Sequence, residues 1–143
     1  MRAGPALTLC LMLVLLPLDV AAQQVRQLLN GIRSENGLGP VVPSTALEQA
    51  AMAHAVDMAQ QGFLGHVGSD GSETMARVRR EGYEACHVAE NIAQGGTSVT
   101  EVLGGWARSP GERENLLSPE VQEYGLVRAT GDIWVLLLGR SNC

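Results

Sequence analysis

Near the end of the chain, Ile133-Trp134-Val135-Leu136-Leu137-Leu138 runs apolar without a break. Successive side chains of a strand point to opposite faces, so such a run leaves neither face fit for water. The segment has to be a central strand covered from both sides. Tyr124 to Ala129 and then Gly131-Asp132 precede it, which reads as an antiparallel hairpin. The rest of the chain must therefore supply two covering layers.

Helical periods supply them. Val25, Leu28, Leu29 and Ile32 recur at i, i+3, i+4 and i+7, ended by Asn36-Gly37. Ser44 or Thr45 can cap a second helix, with Glu48 placed to complete a box with Thr45. That helix runs to about Gln61, with Leu47, Ala51, His54 and Met58 on one stripe. Ser72 is expected to cap a third helix carrying Met75 and Val78 and closed by Gly82. Val88 to Ala93 reads as a short strand around Glu90, broken by Gly95-Gly96. Ser98 and Glu101 form a capping box for a helix with Val99, Val102, Leu103 and Trp106 inside. Ser109-Pro110-Gly111 stops it, and Glu112 to Leu117 suits one further turn. The class is α+β: an α-β-α sandwich with helices on both faces of a small antiparallel sheet.

The first residues read differently. Arg2 is a short positive region, and Ala6 to Leu16 is apolar apart from Thr8. Pro17-Leu18-Asp19 precede the small residues Val20-Ala21-Ala22. This is the pattern of a signal peptide over residues 1–22, too short to span a bilayer comfortably. Cys10 lacks the small-residue lipobox of a lipidated leader. Residues 23–143 then form one domain, secreted or periplasmic, with no later segment long enough to anchor it. Of the remaining cysteines, Cys86 and Cys143 are expected to pair in an oxidising compartment, although two free thiols or a bridge to another chain stay open.

The net charge is −5, and the chain has two tryptophans, two tyrosines and one phenylalanine. Nucleic acid calls for a basic, aromatic-laced face, so it is excluded as a partner. The polar residues that a small core would not want are His66 in the bend Gly65-His66-Val67-Gly68-Ser69-Asp70-Gly71, Glu90 in Ala89-Glu90-Asn91-Ile92-Ala93, and Glu112 beyond Pro110. Neither His-Glu-x-x-His nor Cys-x-x-Cys occurs, and the Gly-x-Ser-x-Gly elbow is absent. Ser69 is therefore no nucleophile. His54 reads as a core histidine, Trp106 as core, Asp70 as the maker of an Asx turn, and Asn91 as an architectural amide. Arg113 suits either a carboxylate or water.

Leu47-Glu48-Gln49-Ala50-Ala51 through His54 and Asp57-Met58-Ala59, Gly65-His66 with Ser69-Asp70-Gly71, Gly82-Tyr83, Glu90-Asn91-Ile92-Ala93, Trp106 with Ser109-Pro110-Gly111, Asn115-Leu116-Leu117 and Gly125 come in a distinctive order. Together, from about Val25 to Gly139, they resemble the CAP superfamily of cysteine-rich secretory, antigen 5 and pathogenesis-related proteins, in its bacterial SCP-like extracellular branch. The resemblance implies a central cavity lined by two histidines and acidic residues. Some members hold divalent metal there, and some bind sterols or other lipids elsewhere. His66 corresponds to the first cavity histidine and Glu90 to the acid of the Glu-Asn motif. Where bacterial relatives read Ser-Pro-Gly-His-Arg, this chain has Ser109-Pro110-Gly111-Glu112-Arg113.

The expected site is thus His66, Glu90 and Glu112 around one hollow. They suit an ion-pair network, a weakly held divalent ion, or acid–base chemistry. The leading functional expectation is a monomeric protein that binds a small ligand, a lipid or a divalent metal. Alternatives are a peptidase-like hydrolase using a cavity carboxylate as general base, and a protein that engages an envelope partner.

Overall fold

The computed structural model describes residues 17–143, in the order α1 (Pro17–Glu35), β1 (Val42–Pro43), α2 (Thr45–Gln61), α3 (Thr74–Arg80), β2 (Ala85–Gln94), α4 (Val99–Arg108), α5 (Pro110–Leu116), β3 (Glu123–Ala129) and β4 (Ile133–Ser141). Of the leader expected over 1–22, residues 1–16 lie outside the described residues, and 17–22 begin α1.

The sheet order is β1-β3-β4-β2, which puts the all-apolar strand between two neighbours. Alternation along β4 then divides the core. Trp134, Leu136 and Leu138 pack with Leu29 of α1, Leu103 and Trp106 of α4 and Leu116 of α5. Ile133, Val135 and Leu137 pack with Leu47, Ala51 and Met58 of α2 and Val78 of α3. β2, β3 and β4 are antiparallel as expected. The short β1, not foreseen, adds a parallel edge to β3 at Glu123 and Tyr124.

Local signals explain most boundaries. Ser44 caps α2 by accepting from the Leu47 N–H, and Gly62 ends it at φ 71°, a left-handed conformation suited to glycine. The cap therefore lies one residue before Thr45, and the expected Thr45–Glu48 box does not form. Ser98 accepts from the Glu101 N–H, while the Glu101 carboxylate reaches back to Thr97. Ser72 does not cap α3. Glu73 occupies that position without a side-chain bond, and Ser72 is used by its backbone instead.

Three further ties hold the layers. Cys86 and Cys143 are joined, their Cα atoms 6.0 Å apart. A closure of that length is worth about 4 kcal/mol in the loop-entropy model. The buried Arg33 guanidinium donates to Gly39 O, Leu116 O and Ser118 O, fixing the C-terminal end of α5 to α1. Gly125 lets β3 approach α2 closely: a Cβ there would land on the backbone of Leu47 and Glu48.

Backbone cannot swing aside as a side chain can. Gly125→Ala should therefore cost about 3 kcal/mol or more in urea unfolding. A loss below about 1 kcal/mol would mean that α2 does not need this approach.

Candidate functional site

The site forms at the β2 edge of the sheet, because β2 places consecutive polar residues on opposite faces. Glu90 faces the layer of α2 and α3, and Asn91 faces α4 and α5. Both are buried. A carboxylate with only 3% of its side chain exposed needs a partner in place. Arg77 of α3 donates to Glu90 Oε2 at 2.8 Å, itself 7% exposed, and also to Ser72 O and Thr74 Oγ1.

The other Glu90 oxygen meets the loop between α2 and α3. His66 Nδ1 lies 2.8 Å from Glu90 Oε1; the carboxylate can only accept, so Nδ1 carries the proton. That loop is pinned on itself. Gly68 N–H donates to Ser72 O, and Asp70 Oδ1 accepts from the Ser72 N–H in the expected Asx turn. Ser69 gives its hydroxyl and N–H to Asp57, away from His66. His54, fully buried, bonds Gly65 O at 2.8 Å through Nε2. Burial and then the nearby Arg77 guanidinium push its pKa down, so the ring is neutral and Nε2 is the donor.

Asn91 sets the opposite wall. Its amide donates to Glu112 O at 3.0 Å, and its carbonyl accepts from Asn115 at 2.8 Å. Asn115 also reaches Glu90 O at 3.3 Å. These bonds seat α5 against β2 and bring Glu112 to the cleft. The Ser109 hydroxyl donates to Glu112 Oε2. That bond first, then its own backbone N–H and the facing His66, hold the Glu112 pKa below the usual glutamate range. Arg113 turns away to Ala107 O and Asn36 Oδ1. Trp106 is buried and donates to Ile92 O, so it is core.

His66, Glu90 and Glu112 therefore line one cleft of about 330 Å³, with Asn91, Ile92, Gly111 and Asn115. His66 is its open side, with 65% of its side chain exposed. His87 is placed elsewhere on β2, opposite Arg140. The sequence reading missed Arg77 and Asn115. The signal for Arg77 was the buried acid itself, which demands a cation, with a short arginine-rich helix just upstream.

The residues expected as a ligand set, His66, Glu90 and Glu112, are each held by hydrogen bonds in this structure. Glu90 accepts from Arg77 on one oxygen and from His66 on the other, and Glu112 accepts from Ser109. Among the described residues, no group of three or more His, Cys, Asp or Glu side chains is arranged to hold a metal ion. Arg77, Glu90 and His66 form a hydrogen-bonded chain with its cationic anchor at the inner end, and Glu112 lines the same cleft.

The lowered Glu112 pKa has a defined sign. A carboxyl held below its unfolded value adds stability above that value, and this is lost as pH falls through the folded one. Ser109→Ala should move the Glu112 midpoint upward in carboxyl-carbon NMR and weaken that acid-side dependence. An unmoved midpoint would show that the hydroxyl is not what holds the charge.

Comparison with known proteins agrees with this architecture. The model of the CAP, cysteine-rich secretory protein family matches residues 26–137. An uncharacterized protein of Bacillus subtilis, YkwD, is 29% identical over 121 residues, which are 82% of this chain and 47% of the relative. The chain thus spans less than half of that relative's length. An extracellular protein of Bacillus anthracis containing an SCP domain superposes with TM-score 0.80 at 24% identity, covering 86% of this chain and 41% of its own. An outer surface protein of Borrelia burgdorferi gives 0.74 at 21%, covering 87% and 92%. At these identities the structures share a fold. The family match over most of the chain goes further: this protein belongs to the CAP family of cysteine-rich secretory proteins.

Proposed function

We propose that this is an extracellular CAP protein whose cleft binds a small amine- or hydroxyl-bearing molecule without turning it over. Export is supported by the leader pattern and by a solved structure of similar fold described as an extracellular protein. Among the described residues, no helix is long and apolar enough to cross a membrane.

The observation that carries the binding reading is the state of the two carboxylates. Each Glu90 oxygen already accepts a bond, one from Arg77 and one from His66, and only 3% of the side chain is exposed, so it is poorly placed to meet a proton of substrate or water. Glu112 has one oxygen held by Ser109 and a depressed pKa, which makes it a poor base near neutrality and a good fixed anion. His66 donates inward through Nδ1, and whenever its ring is neutral the remaining Nε2 is an acceptor beside the Glu112 carboxylate. The cleft therefore presents acceptors at its mouth, and a ligand with N–H or O–H donors complements it.

Titration with ethanolamine and glycerol, followed by NMR of residues 66, 112 and 115, tests this reading. The amine should bind more tightly, and Glu112→Gln should weaken it by about tenfold or more, the value of a charge-assisted bond. Binding of neither probe, or an affinity indifferent to Glu112→Gln, would contradict it.

A further inference from the structure

The two edges of the sheet are finished differently. At the β2 edge, the outward carbonyls of Glu90 and Ile92 are taken by the side chains of Asn115 and Trp106, each at 3.3 Å. At the β3 edge, β1 covers only the beginning. Gln122 O accepts from Val42 N at 3.0 Å, and Tyr124 O accepts from Ser44 N at 2.8 Å. Strand alternation then turns the backbone N–H and C=O of Leu126 and Arg128 outward in turn. Among the described residues nothing bonds them, and exposed edges of this kind are ones that proteins usually blunt.

This open edge is flanked by apolar hollows on both faces of the sheet. On the side of α1 and α4, a hollow of about 560 Å³ is lined by Val25, Val99, Tyr124, Leu126 and Trp134. On the side of α2, a second of about 390 Å³ is lined by Met52, Leu126 and Val127 together with the polar Thr45, Glu48 and Gln49. Cleavage after residue 22 would take Ala21 and Ala22 out of the wall of the first and widen it. Arg128 does not close the edge, because its guanidinium is drawn to Asp132 and Thr97 O and lies over Trp134.

We infer that the Leu126–Arg128 edge of β3 is a docking site for an extended peptide of a partner protein, added to the sheet as a strand in line with β1. Main-chain bonds to Leu126 and Arg128 would give affinity, and alternate apolar side chains would enter the two hollows. A second copy of this chain fits less well. Its own β3 side chains line its own hollows, so it has none to project into these. The site is separate from the cleft, with β4 and β2 between them.

The test uses the purified protein and a capped seven-residue peptide alternating leucine with threonine. Binding should shift the Leu126 and Arg128 amide signals and slow their exchange with solvent. N-methylation of the alternate peptide residues whose N–H groups face β3 should weaken binding by about tenfold or more. Methylation of the intervening residues should change it by less than about twofold. The proposal is overturned if the peptide does not bind, if both methylation patterns act alike, or if those amides are already protected in a dimer seen by sedimentation.

Discussion

A carboxylate sealed inside a protein has to be neutralised where it lies, and that requirement at Glu90 organises everything around the cleft. Arg77 meets it on one oxygen and His66 on the other. The first contact fixes the short helix α3 against the sheet. The second draws the loop after α2 over the β2 edge, where the Gly65 carbonyl and Asp57 tie it down. What faces the solvent is thus the outer end of a charge chain already balanced inside. Such an interior pair is weak evidence for net stability, because desolvation offsets much of the attraction. Its clearer effect here is positional, since the ring of His66 is oriented by the acid behind it.

All ten basic residues of the chain are arginine, and two of them do work that a lysine could not. Arg33 spreads its donors over three carbonyls in two separate segments. Arg77 spreads its own over Glu90, Ser72 and Thr74. A planar fork with several fixed donors suits buried, divergent acceptors better than a single ammonium. Together with the Asn91–Asn115 amide pair, these residues hold α5 and α3 on the two faces of β2. The cleft lies at the β2 edge between α5 and the His66 loop. At the far edge no such side chains come across, and the backbone of β3 stays available.

Much of the fold was legible because it rests on local rules. An apolar run with no polar alternation could only be a central strand, and β4 is one. The Ser98 cap with Glu101 and the glycine after α3 marked helix ends through hydrogen bonds and dihedrals within a few residues. The errors share a different cause. Ser72 is chemically a good cap, but its backbone is claimed by Asp70 and Arg77, which only the folded loop brings near. Two residues of β1 carry no period, and they pair because Tyr124 and Gln122 arrive alongside. The meeting of His66, Glu90 and Glu112 was inferred from family likeness, not from any local pattern. Arg77, which completes the set, looked like one more surface charge in an arginine-rich helix. Burial of a charge is a tertiary fact, and only its partner could have announced it.

The most direct measurement is a double-mutant cycle on the buried pair, with unfolding free energies for Arg77→Met, Glu90→Gln and the combined variant. If the Glu90 charge is committed to Arg77, each single change strands a partner and costs about 3–5 kcal/mol. The double variant should then fall short of their sum by about 1.5 kcal/mol or more. Additivity within about 0.5 kcal/mol would contradict it, leaving Glu90 free to act in the cleft in its own right.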